Sequence, residues 1–434
     1  MRIGRQSRRE HGDTSHGRCW SGVLFKESFE EMACAFVVRT FAATMLAAGA
    51  CVLASAFSSV RAESDDIRIA HIYSKTGPLE SFARQNHDGL MMGLSYATEG
   101  TMKVAGKRIV MIEKDDQGKP DVGKAALATA YGDDKADIAV GPTGSSVAMA
   151  MTGVAEEYKK ILLIENAVAD VLTGAKWNKY LFRTIRSSSQ DAIGNAIALD
   201  SDGVSIATLA QDSAYGKDGV KAFREALKKA KVVHQEFLPS DTSDFTAGGQ
   251  RIIDKLKDLP GRKVIFIVWA GTNNPFKIAD LDLKRYDIHM ATLVTDLPTL
   301  AHFKKLPGME GATYYYYGIP KNPINDALVK MNYEKSGGPP DFFVAAGFTA
   351  GLALVEALKR TNGDVASDKL MAAMEGMTFD TPKGKMTFRK EDHQALQSMY
   401  QFEIVDDPVV AWGVPKLVRE ITADEMHLPI RNKR

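Results

Sequence analysis

From residue 67 onward the sequence switches repeatedly between short β-branched runs and longer stretches with helical spacing, the pattern that parallel sheets with crossover helices require. Strands are predicted at 67–73, 108–114, 136–140 and 161–165. Between and after them fall helices from the turn at Gly77-Pro78 through about Thr98, at 120–131 and at 146–158. Four βα units of this kind make one doubly wound set. After Phe182-Arg183-Thr184 the pattern starts afresh, with helices at 190–200, 216–229 and 245–257 set among strands at 204–209, 232–238, 264–269 and 288–294. Right-handed crossovers would make this second sheet the architectural twin of the first.

Past Tyr314-Tyr315-Tyr316-Tyr317 come two more helices, 324–335 and 343–359, too little for a third domain. They must cover one of the existing sheets. A helix at 369–375, a strand at 384–389 and a last strand at 400–405 complete the expected fold.

The first 62 residues read differently. Residues 41–57 are small and apolar, Arg39 precedes them, and Val60-Arg61-Ala62 has the small-x-Ala form of a cleavage site. The run is short for a bilayer span of about 20 residues, and a polar Glu63-Ser64-Asp65-Asp66 follows, so it is read as a secretory signal peptide cut near Ala62. Met32 is a plausible true start, because signal peptides rarely begin so far upstream; Arg8-Arg9 stands too far from the apolar run to mark twin-arginine export.

Cys19, Cys34 and Cys51 all lie in this leader, so the exported chain would have no disulfides. Cys51 lacks the Leu three residues earlier that lipidation would want. Removing the leader's eight basic and five acidic residues takes the formal charge from +1 to −2. Nothing in that balance calls for nucleic acid or an acidic membrane as partner; Lys228, Lys229 and Lys231 read as a solvated helix end.

Motifs for chemistry are missing. No G-x-G-x-x-G follows a strand, no P-loop or G-x-S-x-G elbow occurs, and the exported chain's seven histidines show no ligand spacing. The expectation is therefore no enzyme, no cofactor and no metal. What stands out is the helix start Gly141-Pro142-Thr143-Gly144-Ser145-Ser146 after a predicted strand. Unpaired amides and hydroxyls there can seat a carboxylate, or Ser145 and Ser146 can simply cap the helix. In open α/β sheets, ligands sit beyond the carboxyl ends of strands, where this segment falls.

The order of these segments resembles the periplasmic solute-binding proteins of the Leu/Ile/Val-binding family that serve ABC transporters. The resemblance rests on Ser74-Lys75-Thr76-Gly77-Pro78, Lys114-Asp115-Asp116-Gln117, 141–146, Leu172-Thr173 and Asp212-Ser213-Ala214-Tyr215-Gly216, over residues 67 to about 405. It implies a type I periplasmic binding fold, α/β, with two doubly wound Rossmann-like lobes joined by a three-segment hinge near Thr184, Tyr317 and Thr381. The first lobe would comprise 63–184 and 317–381, the second 185–316 and 382–434.

A solute would lie between the lobes and be buried by their closure. By the same resemblance Ser145, Ser146 and the backbone at Ala167 would seat its carboxylate. Tyr215 and Asn273 would contact it from the second lobe, and Phe82 and Phe343 would be apolar walls. Asp296 falls where amino-acid binders keep a partner for the α-ammonium, but the segment departs from the family's Gly-Pro-Glu, and Asn273 replaces an expected tyrosine.

A buried ammonium without polar partners would be costly. The segments are closer to members that take aromatic acids such as benzoate or phenylpropanoid derivatives, for which Trp269 offers a further ring and Arg84 an alternative cation. The implied role is capture of a small carboxylate solute in the periplasm for an inner-membrane ABC permease, by a monomer. A branched-chain amino acid or amide binder, or a ligand sensor on the same fold, is the alternative.

Overall fold

The computed structural model describes residues 66–269, 275–292 and 296–432. The leader, with its three cysteines and the expected cut at Ala62, lies outside them. The first sheet is built from β1 (Ile67–Tyr73), β2 (Lys103–Val104), β3 (Lys107–Asp115), β4 (Ile138–Val140), β5 (Leu162–Ile164) and β6 (Leu181–Arg183), in the order β2-β3-β1-β4-β5-β6. All neighbours are parallel except the β2–β3 hairpin. Helices α1 (Glu80–Ala97), α2 (Pro120–Gly132) and α3 (Ser145–Tyr158) supply the crossovers. The chain leaves β1 toward β3 on one side and returns to β4 on the other, so the loops after β1 and β4 diverge and open a crevice.

The second sheet repeats the device. Its strands are β7 (Val204–Gln211), β8 (Lys231–Leu238), β9 (Arg262–Val268), β10 (Ile288–Thr292), β11 (Glu310–Thr313), β15 (Met399–Val405) and β16 (Val414–Ile421). Their order is β16-β15-β11-β10-β9-β7-β8. Here the crevice opens between β7 and β9. Helices α4 (Ser188–Leu199), α5 (Ala214–Ala226), α6 (Thr246–Leu256) and the short α7 (Leu297–Phe303) accompany these strands. Strand β16, antiparallel to β15, lies beyond the strand expected to be last. Five consecutive residues of it, including Lys416, Arg419 and Glu420, are exposed, so this edge strand has no buried face to alternate in the sequence.

Helices α8 (Pro323–Ser336) and α9 (Phe342–Arg360) return to the first sheet, as expected of segments too short for a domain. Helix α9 is long and apolar enough to cross a membrane, yet 89% of that window is buried in the core. It runs parallel to α1 at unusually close range. A Cβ at Gly347 would lie 1.9 Å from the Asn86 carbonyl oxygen, and one at Gly89 would lie 2.0 Å from that of Val344. Gly93 and Gly351 repeat the approach one turn on. Four-residue spacing puts each pair on one helix face, and the missing side chains let the backbones touch.

Helix α10 (Ser367–Met374) precedes a small sheet of β12 (Thr378–Thr381), β13 (Gly384–Phe388) and β14 (Ala395–Leu396), and α11 (Ala423–Met426) follows β16. The crossing expected near Thr381 is instead the β12–β13 hairpin turn, in which Thr381 pairs with Gly384. Gln394 bridges Arg183 of the first sheet, and the chain leaves for β15 only at 397–398. Residues 382–396 therefore go with the first lobe, not the second. Arg183 locks this corner: fully buried, it donates to Gln394 Oε1 (2.6 Å), the Ala169 carbonyl (2.7 Å) and Thr173 Oγ1 (2.7 Å). Burial pulls its guanidinium down to about 10.

Candidate functional site: a cavity between the two sheets

The carboxyl ends of both sheets border one cavity of about 460 Å³. On the first-lobe side, the loop after β4 turns at Gly141, whose φ is +121° and whose Cβ would sit 2.0 Å from the Ile72 carbonyl oxygen. Only glycine allows that loop to lie against β1. It then presents Thr143 and, as the first residue of α3, Ser145 to the cavity. Ser145 Oγ accepts from the Ala169 amide at 3.2 Å, which ties the helix start to the loop after β5. Asn166 and Val168 of that loop also line the wall.

The parallel packing of α1 on α9 brings their first turns together, and Phe82 and Phe343 stack with centroids 4.5 Å apart. Both border the cavity, as do Tyr215 and Trp269 at the second crevice and Asp296 beyond β10. Asp296 also caps α7, accepting from the Thr299 amide at 2.8 Å.

The side chains of Ser146 and of the alternative cation Arg84 fall elsewhere. Ser146 is exposed and does not line the cavity, because one helical residue turns a side chain by about 100° from its neighbour. Ala167, expected to contribute its backbone, has its side chain in the core and is flanked by the wall residues Asn166 and Val168. Arg84 is exposed and paired with Glu80 one turn earlier. Asn273 lies outside the described residues.

The cation that does reach the cavity is Arg186, 5% exposed. Its Nε donates to Asp191 Oδ1 at 2.6 Å, and its guanidinium lies 5.4 Å from the Tyr314 ring centroid and 5.1 Å from that of Phe342. Burial pushes the Asp191 carboxyl up, and Arg186 pulls it back. Behind it Lys383 is buried, donating to Gln397 Oε1 (2.9 Å) and the Ser398 carbonyl (2.8 Å). Burial, with Arg186 nearby, holds that amine well below its usual range. The sequence signal for Arg186 was a second arginine just past a parallel strand and directly before the capping Ser187 of α4.

Asp341, which caps α9, is pushed up to about 7 by burial and by Asp296. Thr143 Oγ1, Asn166 Nδ2 and Trp269 Nε1 are buried in the wall without a hydrogen-bond partner. Such orphans cost about 1–3 kcal/mol each unless something satisfies them. No group of three His, Cys, Asp or Glu placed to hold a metal occurs among the described residues.

A cavity bordered by two doubly wound sheets, with the chain crossing between them three times, is an arrangement for enclosing a small molecule. The sequence pattern of periplasmic binding proteins matches residues 66–408. The chain belongs to that family. It is a solute-binding protein of an ABC transporter, and its family consists of binding proteins rather than enzymes, which hold small solutes and work with a permease.

Its fold is that of a crystal structure from Rhodopseudomonas palustris CGA009 described as an ABC-type branched-chain amino acid transporter. The two are 58% identical with a TM-score of 0.81, covering 85% of this chain and 100% of that one. The Leu-, Ile-, Val-, Thr- and Ala-binding protein of Pseudomonas aeruginosa is 23% identical over 340 residues, 76% of this chain and 88% of that protein. A solute-binding protein of R. palustris BisB5 solved with 3,4-dihydroxybenzoic acid shares the fold at 24% identity and TM-score 0.71, covering 83% and 98%. Members of the family are periplasmic.

Proposed function

We propose that this binding protein captures a small aromatic carboxylate in the periplasm and delivers it for import. The observation that carries the reading is Arg186, a buried cation in the wall of the cavity that the stacked Phe82 and Phe343 also border. A carboxylate set against Arg186, with the hydroxyls of Thr143 and Ser145 and the Asn166 amide bordering the same cavity, gains charge-assisted bonds in a partly desolvated site. A planar ring then fills the aromatic slot. Contacts to both lobes favour the closed form, and a micromolar constant needs about 8 kcal/mol from them. That this fold accommodates such acids fits the neighbour holding 3,4-dihydroxybenzoic acid and another R. palustris protein solved with benzoate.

The second reading is a branched-chain amino acid, favoured by Asp296 at the cavity and by the description of the 58% identical relative. Thermal-shift screening separates the two. Benzoate-like acids should raise the melting temperature and leucine should not; the reverse result would replace the first reading with the second.

A further inference from the structure

We propose that Trp269 and Asp296 together read a hydroxyl group on the solute; this rests on the aromatic-acid reading above. The two residues follow neighbouring parallel strands: Trp269 comes directly after β9, and Asp296 four residues after Thr292, the last residue of β10. Both border the cavity from the second lobe, whereas Thr143, Ser145 and Asn166 reach it from loops of the first lobe.

The two groups ask for different things. Trp269 Nε1–H can only donate, and it is buried without a partner in a residue 8% exposed. An ionised Asp296 can only accept, and its bond from the Thr299 amide uses one of about four lone-pair sites. A single solute group that serves both must accept one hydrogen bond and donate another, which is what a hydroxyl does. An ammonium donates only and leaves the indole N–H orphaned. An ether accepts only and sets its lone pairs against the carboxylate. An unsubstituted ring edge offers neither.

The test is calorimetric titration of the secreted protein, freed of copurified solute, with benzoate, meta- and para-hydroxybenzoate and para-methoxybenzoate. The better hydroxybenzoate should bind about tenfold more tightly than benzoate or the methoxy acid, the equivalent of one good hydrogen bond. Trp269→Phe and Asp296→Asn should each shrink that advantage to about threefold or less. Asparagine keeps the α7 cap, so Asp296→Asn carries the test even if the tryptophan variant folds poorly. Equal affinity for hydroxylated and plain acids in the wild type would overturn the proposal. So would variants that weaken every acid by the same factor, since the pair would then be wall and not reader. Failure of every aryl acid to bind would instead overturn the aromatic-acid reading beneath it.

Discussion

The Leu297 amide donates to Asp341 Oδ2 at 3.1 Å, a bond that runs from the first residue of α7 on the second sheet to the cap of α9 on the first. The second oxygen of the same residue's carboxyl group pairs with its own helix, Oδ1 accepting from the Phe342 amide at 2.8 Å. One buried carboxyl therefore joins the two lobes beside the cavity. Because its folded value is raised to about 7 from the ordinary carboxylate range, the folded protein binds a proton that the unfolded chain has already released. Stability is then highest below about pH 4 to 5, as far as this group is concerned, and falls as pH rises toward 7. The contribution is on the order of 2–4 kcal/mol. Melting curves from pH 5 to 8 should fall for the wild type and run flatter for Asp341→Asn. Parallel curves would remove Asp341 as the source.

Arg186→Gln should weaken binding of benzoate-like acids about 10- to 100-fold, the loss of charged hydrogen bonds worth about 1.5–3 kcal/mol. The variant also strands Asp191 without its cation, so a lowered melting temperature is expected alongside. Arg186→Lys keeps a charge there and should lose less of both. Titration with unchanged affinity for the glutamine variant would take Arg186 out of the site.

Ser145→Ala and Ser146→Ala should part company. Only Ser145 borders the cavity and holds the Ala169 amide, so its loss should raise the dissociation constant by about fivefold, roughly 1 kcal/mol. Ser146→Ala, on the solvent side, should leave affinity where it was. Equal effects from the two would show that the helix terminus, not the hydroxyl, does the seating.

Gly347→Ala should cost about 3 kcal/mol or more, since the new methyl meets the Asn86 carbonyl oxygen at 1.9 Å and backbone cannot step aside as a side chain can. Chemical denaturation reads the loss. Because the same contact sets the spacing of α1 and α9, ligand affinity should fall too, through Phe82 and Phe343.

Much of the architecture was readable because each βα unit of a parallel sheet carries its own local periods. The strand at 67–73 and the helices at 120–131, 324–335 and 343–359 agree with the structure to within a residue or two. Strand β16 was not, since an exposed edge carries charge on both faces. Tyr215, Asp296, Phe82 and Phe343 were placed through family resemblance, and all four border the cavity. Ser146 shows the limit of a run of like residues: adjacent serines at a helix start face different ways, and only the packed helix tells which. Arg186 escaped because an arginine after a strand looks solvated. Its burial depends on Asp191 and on Tyr314 and Phe342, more than a hundred residues away in the chain.

The glycine contact between α1 and α9 has an evolutionary consequence. Fused backbone to backbone, the two helices present their paired rings as one prefabricated jaw, with the ordering cost met when the chain folds and not again at each capture. New substrate preferences are then most cheaply acquired on the opposite sheet, where Tyr215, Trp269 and Asp296 each hang from a separate strand end and can be exchanged one at a time.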